Sequence, residues 1–350
     1  MKKLISLALC LLLLCGCLGA CGKDDKSKQK ETEVTTPEEY QIDLENHLTN
    51  PNATKEAIAV YNFIRDMSGK YIISGQQESP SSNATEMNEI FSATGKTAAL
   101  KGLDFINDDF EGVTRRAITW WELGGLVSIC WHMGTPPDGV GYDSSKGRID
   151  LEASLTEGTE EYNNLIAEFD KAVPYLKELQ DAGVPVLWRP FHESDGGWFW
   201  WSKGGKDAFI ELWKLMYTYY TEECGLNNLI WVCGFSDQIA QHLDWYPGDE
   251  YVDIFGADIY ASTNNSQKAL YDYCYKVVGD RKPICLHENG PIPDPDKLKE
   301  EGVKWSWFMT WHSEWLDQNE DEYLNKVYNH DYVITVQRMP KIAEQIAKEK

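Results

Sequence analysis

From about residue 55 onward, apolar residues fall into two alternating kinds of run. Short, nearly continuous ones stand at 71–75 (YIISG), 97–103 (TAALKGL), 126–132 (LVSICWH), 184–193 (VPVLWRPFHE), 229–235 (LIWVCGF), 252–260 (VDIFGADIY), 283–288 (PICLHE) and 305–311 (WSWFMTW). Runs of this length, rich in β-branched and aromatic residues, predict strands covered on both faces, as in a parallel sheet. Between them lie longer amphipathic stretches. Residues 160–182 carry Leu165, Phe169, Val173, Leu176 and Leu179 at helical spacing, and 207–220 carry Phe209, Leu212, Trp213, Met216 and Tyr220. Gly183 closes the first of these as a C-terminal cap. Eight strand units followed by helices predict an α/β protein closed into a (β/α)8 TIM barrel, with an open doubly wound sheet as the alternative.

Composition narrows the partner more than the fold. The 350 residues include 14 Trp and 18 Tyr, more than a core requires, and the formal net charge is −23. Such a chain repels nucleic acid and anionic membrane surfaces, so neither is expected as the main partner. A neutral ligand with flat, partly apolar faces suits the aromatics, as a sugar ring would; acidity serving solubility alone is equally compatible.

The first 20 residues, Lys2-Lys3 and then a mostly apolar run, read as a secretory signal too short for a membrane span. Leu18-Gly19-Ala20-Cys21 resembles a bacterial lipoprotein box, so Cys21 is the expected lipidated residue and Cys17 the alternative. Residues 21–50 are expected to form a flexible linker, since the stretch 22–39 is too polar to bury a core, and 51–350 the catalytic domain. The protein is then expected to be exported, lipid-anchored to the cell envelope and monomeric. Five cysteines remain beyond Cys21, and Cys130, Cys233 and Cys285 lie in strand-like runs as small buried hydrophobes. No metal-ligand spacing occurs, and neither a metal nor a cofactor is expected.

In a closed parallel barrel the site lies at the C-terminal ends of the strands. The residues there are His132, His192 with Glu193, Tyr260, Glu288 and Trp311. Two glutamates on different strands are what glycoside hydrolysis requires, one as acid and one as nucleophile or base. Strand alternation puts Ile284, Leu286 and Glu288 on one face, whereas Pro190 weakens the same argument for Glu193. Taken singly, either glutamate reads as a surface charge; as a pair after apolar strands they read as a site. Among Trp198, Phe199, Trp200 and Trp201, one or two are expected to be exposed to a ligand. Arg189 is expected to pair with buried acids.

WRPFHE with GGWFWW at 188–201, SGQQE at 74–78, SICWHMGTP at 128–136, ADIY at 257–260 and HENGPIPD at 287–294 resemble, in order, the motifs of glycoside hydrolase family 26. That family consists mostly of retaining β-mannanases, and the resemblance covers residues 55–345. It implies Glu193 as general acid/base and Glu288 as nucleophile. It further implies that His132 contacts the sugar nearest the bond; His192, next to Glu193 in the chain, is expected to orient its neighbours at the substrate rather than to act as a base. Tyr260 would hydrogen-bond the nucleophile, and Trp198 and Trp311 would line sugar subsites. The chain departs from the family pattern at Ser194-Asp195, where Met-Asn is common, and at His312, where a basic residue is common. The expected function is a retaining endo-β-1,4-mannanase acting on mannan, glucomannan or galactomannan. The alternatives are action on another β-glycan, such as mixed-linkage β-glucan or β-1,3-xylan, and a surface glycan-binding lipoprotein without turnover.

Overall fold

The computed structural model describes residues 36–80 and 85–349. The expected signal and Cys21 lie outside the described residues. Eight strands form the barrel: β1 (Ile72–Gln77), β2 (Leu100–Asp104), β3 (Leu126–Cys130), β4 (Val186–Arg189), β5 (Leu229–Phe235), β6 (Ile254–Ile259), β7 (Ile284–Asn289) and β8 (Trp307–Thr310). Each pairs in parallel with the next, and β1 pairs with both β8 and β2, which closes the sheet. Every strand residue is buried except Ile259, which is half-buried, as expected of strands covered outside by helices and inside by their own side chains.

The eight strands are those the apolar runs predict, with different ends. The run 184–193 is strand only over β4. Pro190 has no N–H to give the ladder, and the chain leaves it in a turn where Phe191 and Glu193 take left-handed φ of 49° and 50°. The alternation argued for Glu288 also fails, because β7 is not regular. Ala257 pairs with Leu286 but Asp258 with Glu288, so His287 is an extra residue in the ladder, and a second shift separates β7 from β8 there. At such a bulge side chains no longer alternate strictly. Both His287 and Glu288 reach Arg189.

A ninth strand, β9 (Val333–Ile334), pairs with the first two residues of β1, while β2 pairs with the last three. Two residues are too few to show in an apolar pattern. The helix Glu160–Asp181 matches its predicted stripe, with Thr159 capping its start and Gly183 (φ 69°) following its end. The second helix, Lys206–Thr218, ends in a π-helical turn, Tyr219–Glu223.

Residues 40–50, assigned by the sequence to a flexible linker, lie instead against the body. The Tyr40 ring meets Phe63 at 5.3 Å and its hydroxyl donates to Asp66. Asn62 donates to the carbonyls of Asp43 and Glu45, and the Thr49 N–H to Asp253 Oδ1 at 2.7 Å. Polar composition concealed this strap because backbone groups hold much of it. Cys130, Cys233, Cys274 and Cys285 are buried free thiols.

Candidate active site

Two carboxyl groups occupy the floor of a cleft of about 670 Å³ at the C-terminal ends of the strands. All seven site residues expected from the sequence line it: Glu193, Glu288, His132, His192, Trp198, Tyr260 and Trp311. One carboxylate oxygen each from Glu193, Asp258 and Glu288 lie within 4.8 Å of one another.

Glu288 is held on both oxygens. Arg189 Nη2 forms a very short ion pair with Oε1, and the Tyr260 hydroxyl donates to Oε2 at 2.5 Å. Arg189 is buried and also contacts Asp258 Oδ2 at 3.3 Å, which fits its expected role as a partner of buried acids. Tyr260 rests on Trp315, with ring centroids 4.5 Å apart, and burial and then the Glu288 charge hold its phenol well above the usual range.

Glu193 has different neighbours. Its Oε2 accepts the Trp198 indole N–H at 2.8 Å. Burial, and next the charge of Glu288, push its carboxyl up to about 8, against the Trp198 hydrogen bond and Arg189, which pull it down. Trp198 folds across Gly196, where a Cβ would stand 2.1 Å from the indole. Trp201 donates to the His192 carbonyl and Trp200 to that of Met133, bracing the turn from below. Trp200 and Trp201 are buried, Trp198 is half-buried, and the buried Phe199 lines the cleft beside it, so two members of the cluster border the cleft and Trp198 is the more open. Asp195, one of the departures from the family pattern, is buried and accepts the Ser236 N–H at 2.6 Å, tying this turn to the loop after β5.

His132 follows β3, and Asp104 at the end of β2 accepts both its backbone N–H and its Nδ1–H. Burial disfavours the charged ring, but Asp104 outweighs it and the imidazole is raised from its usual value. Its Nε2 lies 3.1 Å from His192 Nε2. Burial, then His132 and Arg189, push His192 well below the usual range, so it stays neutral. Trp311 sits over His132 with centroids 6.1 Å apart.

The sequence reading passed over several lining residues. Tyr142, exposed in the short helix Gly141–Ser145 after β3, and Trp315 bring further aromatic surface, and Asp258 a third carboxyl. Tyr142 and Trp315 lie outside any strand end, and Asp258 sits inside one, so the strand-end rule could not single them out. Asp104, Cys130 and His132 are also close enough to share a cation, as are Glu193, Asp258 and Glu288. In the second group Arg189 already lies on two of the three carboxyls, and in the first Asp104 is engaged by His132 while burial keeps the Cys130 thiol protonated.

The family model described as Glycosyl hydrolase family 26 matches residues 49–338. Among relatives, "Mannan endo-1,4-beta-mannosidase" of Thermothelomyces thermophilus is 36% identical over 85% of this chain and 64% of its own length. "Mannan endo-1,4-beta-mannosidase A" of Piromyces sp. is 34% identical over 84% of this chain and 50% of its own. The chain thus spans between half and two thirds of these curated relatives. Among solved structures, a β-mannanase from a symbiotic protist of the termite Reticulitermes speratus, complexed with gluco-manno-oligosaccharide, superposes with a TM-score of 0.79. It is 31% identical, over 86% of this chain and 99% of that one. With the barrel, the paired glutamates and these matches together, the chain belongs to glycosyl hydrolase family 26.

Proposed function

We propose that the chain is a retaining endo-β-1,4-mannanase that hydrolyses mannan, glucomannan or galactomannan by double displacement. The observation that carries this reading is the proximity of Glu193 and Glu288, with carboxylate oxygens within 4.8 Å. Retaining enzymes place their carboxyls about 5–5.5 Å apart, whereas inverting ones leave about 6.5–9.5 Å for a water.

The neighbours of each group divide the work. Arg189 keeps a positive charge against Glu288, so this carboxylate is the nucleophile that attacks the anomeric carbon. Glu193, raised to about 8, carries its proton at neutral pH and gives it to the departing glycosidic oxygen. Once the sugar is bonded to Glu288, that negative charge is gone, and with it the second-largest push on Glu193. Glu193 then becomes a better holder of negative charge and takes a proton from water as the water oxygen bonds the anomeric carbon, which breaks the bond to Glu288 and returns it as a carboxylate. His132, His192, Trp311 and Trp198 would contact the sugars on either side of the bond, with Tyr260 steadying the nucleophile. A neutral polysaccharide suits a chain of net charge −23. The names of the relatives support mannan as the polymer and endo action as the mode. The lipoprotein-like Leu18-Gly19-Ala20-Cys21 supports anchorage to the envelope through Cys21.

Incubation of the chain with mannan, glucomannan, galactomannan, lichenan and xylan tests the reading. Rapid shortening of the mannans, with oligosaccharides rather than mannose as early products, is expected. Release of reducing ends from lichenan or xylan alone would assign another β-glycan, and binding without release would make the protein a glycan-binding lipoprotein.

A further inference from the structure

We propose that His287 is a positioning residue for the nucleophile: the lone pair on its Nδ1 holds Arg189 through the Nε–H, and Arg189 so held presents Nη2 to Glu288. The inference rests on the reading of Glu288 as nucleophile. Two groups converge on that one nitrogen, Arg189 Nε at 2.7 Å and Asp258 Oδ1 at 2.8 Å. A guanidinium has donors and no acceptor, so Nδ1 must turn its lone pair toward it. That lone pair is repelled by an ionised carboxylate oxygen at 2.8 Å, whereas a protonated Asp258 can share it with Arg189 as a second donor.

Asp258 is therefore the neutral acid of the cluster. Its Oδ1–H points at His287, and Oδ2, left as the carbonyl oxygen, accepts Arg189 Nη2 at 3.3 Å. Burial and the nearby Glu288 act in the same direction on this carboxyl, and burial keeps His287 uncharged. The consequence is that the guanidinium charge is not divided between two carboxylates but belongs to Glu288. The other ring nitrogen, Nε2, is buried with no hydrogen-bond partner among the described residues, so Nδ1 alone ties the ring into the network.

Two features of the fold exist to allow this contact. The extra residue in β7 is His287 itself, which lets it and Glu288 approach Arg189 together. On β5 the position under the ring is Gly234, where a Cβ would stand 2.2 Å from His287 Cε1. Neither His287 nor Gly234 itself lines the cleft; His287 meets it through Asp258 and Arg189.

The test compares two substitutions on the full chain. Asparagine places its Oδ1 near the position of the imidazole Nδ1 and can accept from Arg189, whereas leucine cannot. His287→Leu should lower kcat on mannan by about 30-fold with KM little changed, the scale of a hydrogen bond to a charged group, and His287→Asn should recover most of it. Gly234→Ala, which displaces the ring without removing a polar atom, should resemble His287→Leu and carries the test should that variant not fold. Equal rates for folded leucine and asparagine variants, or a leucine variant as active as the parent, would overturn the proposal. The parent is assayed first. If it leaves mannan intact, the substrate reading fails, and the Arg189 Nε–H resonance decides this one separately: it should shift in His287→Leu and persist in His287→Asn, and an unmoved resonance in the leucine variant would refute it.

Discussion

Glu193 bears on the Trp198 indole while Glu288 is clasped by Arg189 and Tyr260, and each neighbour has a measurable effect. With its carboxyl at about 8, Glu193 loses its proton as pH rises through that value, so kcat/KM on mannan should fall with an alkaline limb near 8. In Glu193→Gln that limb should vanish along with polysaccharide turnover, while a substrate with an activated leaving group still labels Glu288. Stability should show the same group. Between the ordinary carboxyl value of 4.5 and about 8 the folded chain retains a proton that the unfolded chain has released, so folding weakens as pH climbs through this window. Glu193→Gln does not titrate, and its Tm should exceed that of the parent at pH 9 and approach it at pH 4. Trp198→Phe keeps an aromatic face but removes the N–H that draws Glu193 down, so the alkaline limb should move to higher pH; a limb that stays or moves lower would deny the hydrogen bond its role. The glutamates were legible in the sequence because each ends an apolar run, and barrel topology turns a strand end into a site. His287 and Asp258 were not. Their meaning lies in contacts between strands far apart in the chain, with His287 98 residues from the arginine it meets.

At the scale of elements, the eight runs announced the barrel because each strand is covered on both faces and so reads as an unbroken apolar segment. What escaped notice depends on backbone pairing: the early end of β4 at Pro190, the extra residue in β7, and two-residue β9. The strap at 40–50 escaped for a related reason. One of its attachments to the barrel is Asp253, whose buried carboxyl accepts the Thr49 N–H at 2.7 Å and the Trp231 N–H at 2.8 Å. Asp253→Ala leaves the Trp231 N–H buried without that acceptor and releases the Thr49 end of the strap, and should cost about 2–4 kcal/mol of stability. Since neither strap nor Asp253 lines the cleft, kcat below the melting transition should hold. A loss of kcat at unchanged Tm would mean that the strap shapes the site.

For the molecule as a whole, the net charge of −23 and the aromatic cleft suit the neutral polysaccharide proposed as substrate, and the lipoprotein-like Leu18-Gly19-Ala20-Cys21 supports the proposed anchorage. Cys21→Ala should move the protein from the membrane to the soluble fraction with specific activity unchanged; retention with lipid on Cys17 would relocate the anchor. The claim on which the rest depends is that the two neighbouring carboxyls act by double displacement on a β-mannan. Proton NMR of mannohexaose during the first minutes of cleavage tests it most directly, because the anomer released first, before mutarotation, records the number of displacements. The β-anomer should appear first. An α-anomer appearing first, or an uncleaved hexasaccharide, would contradict the account.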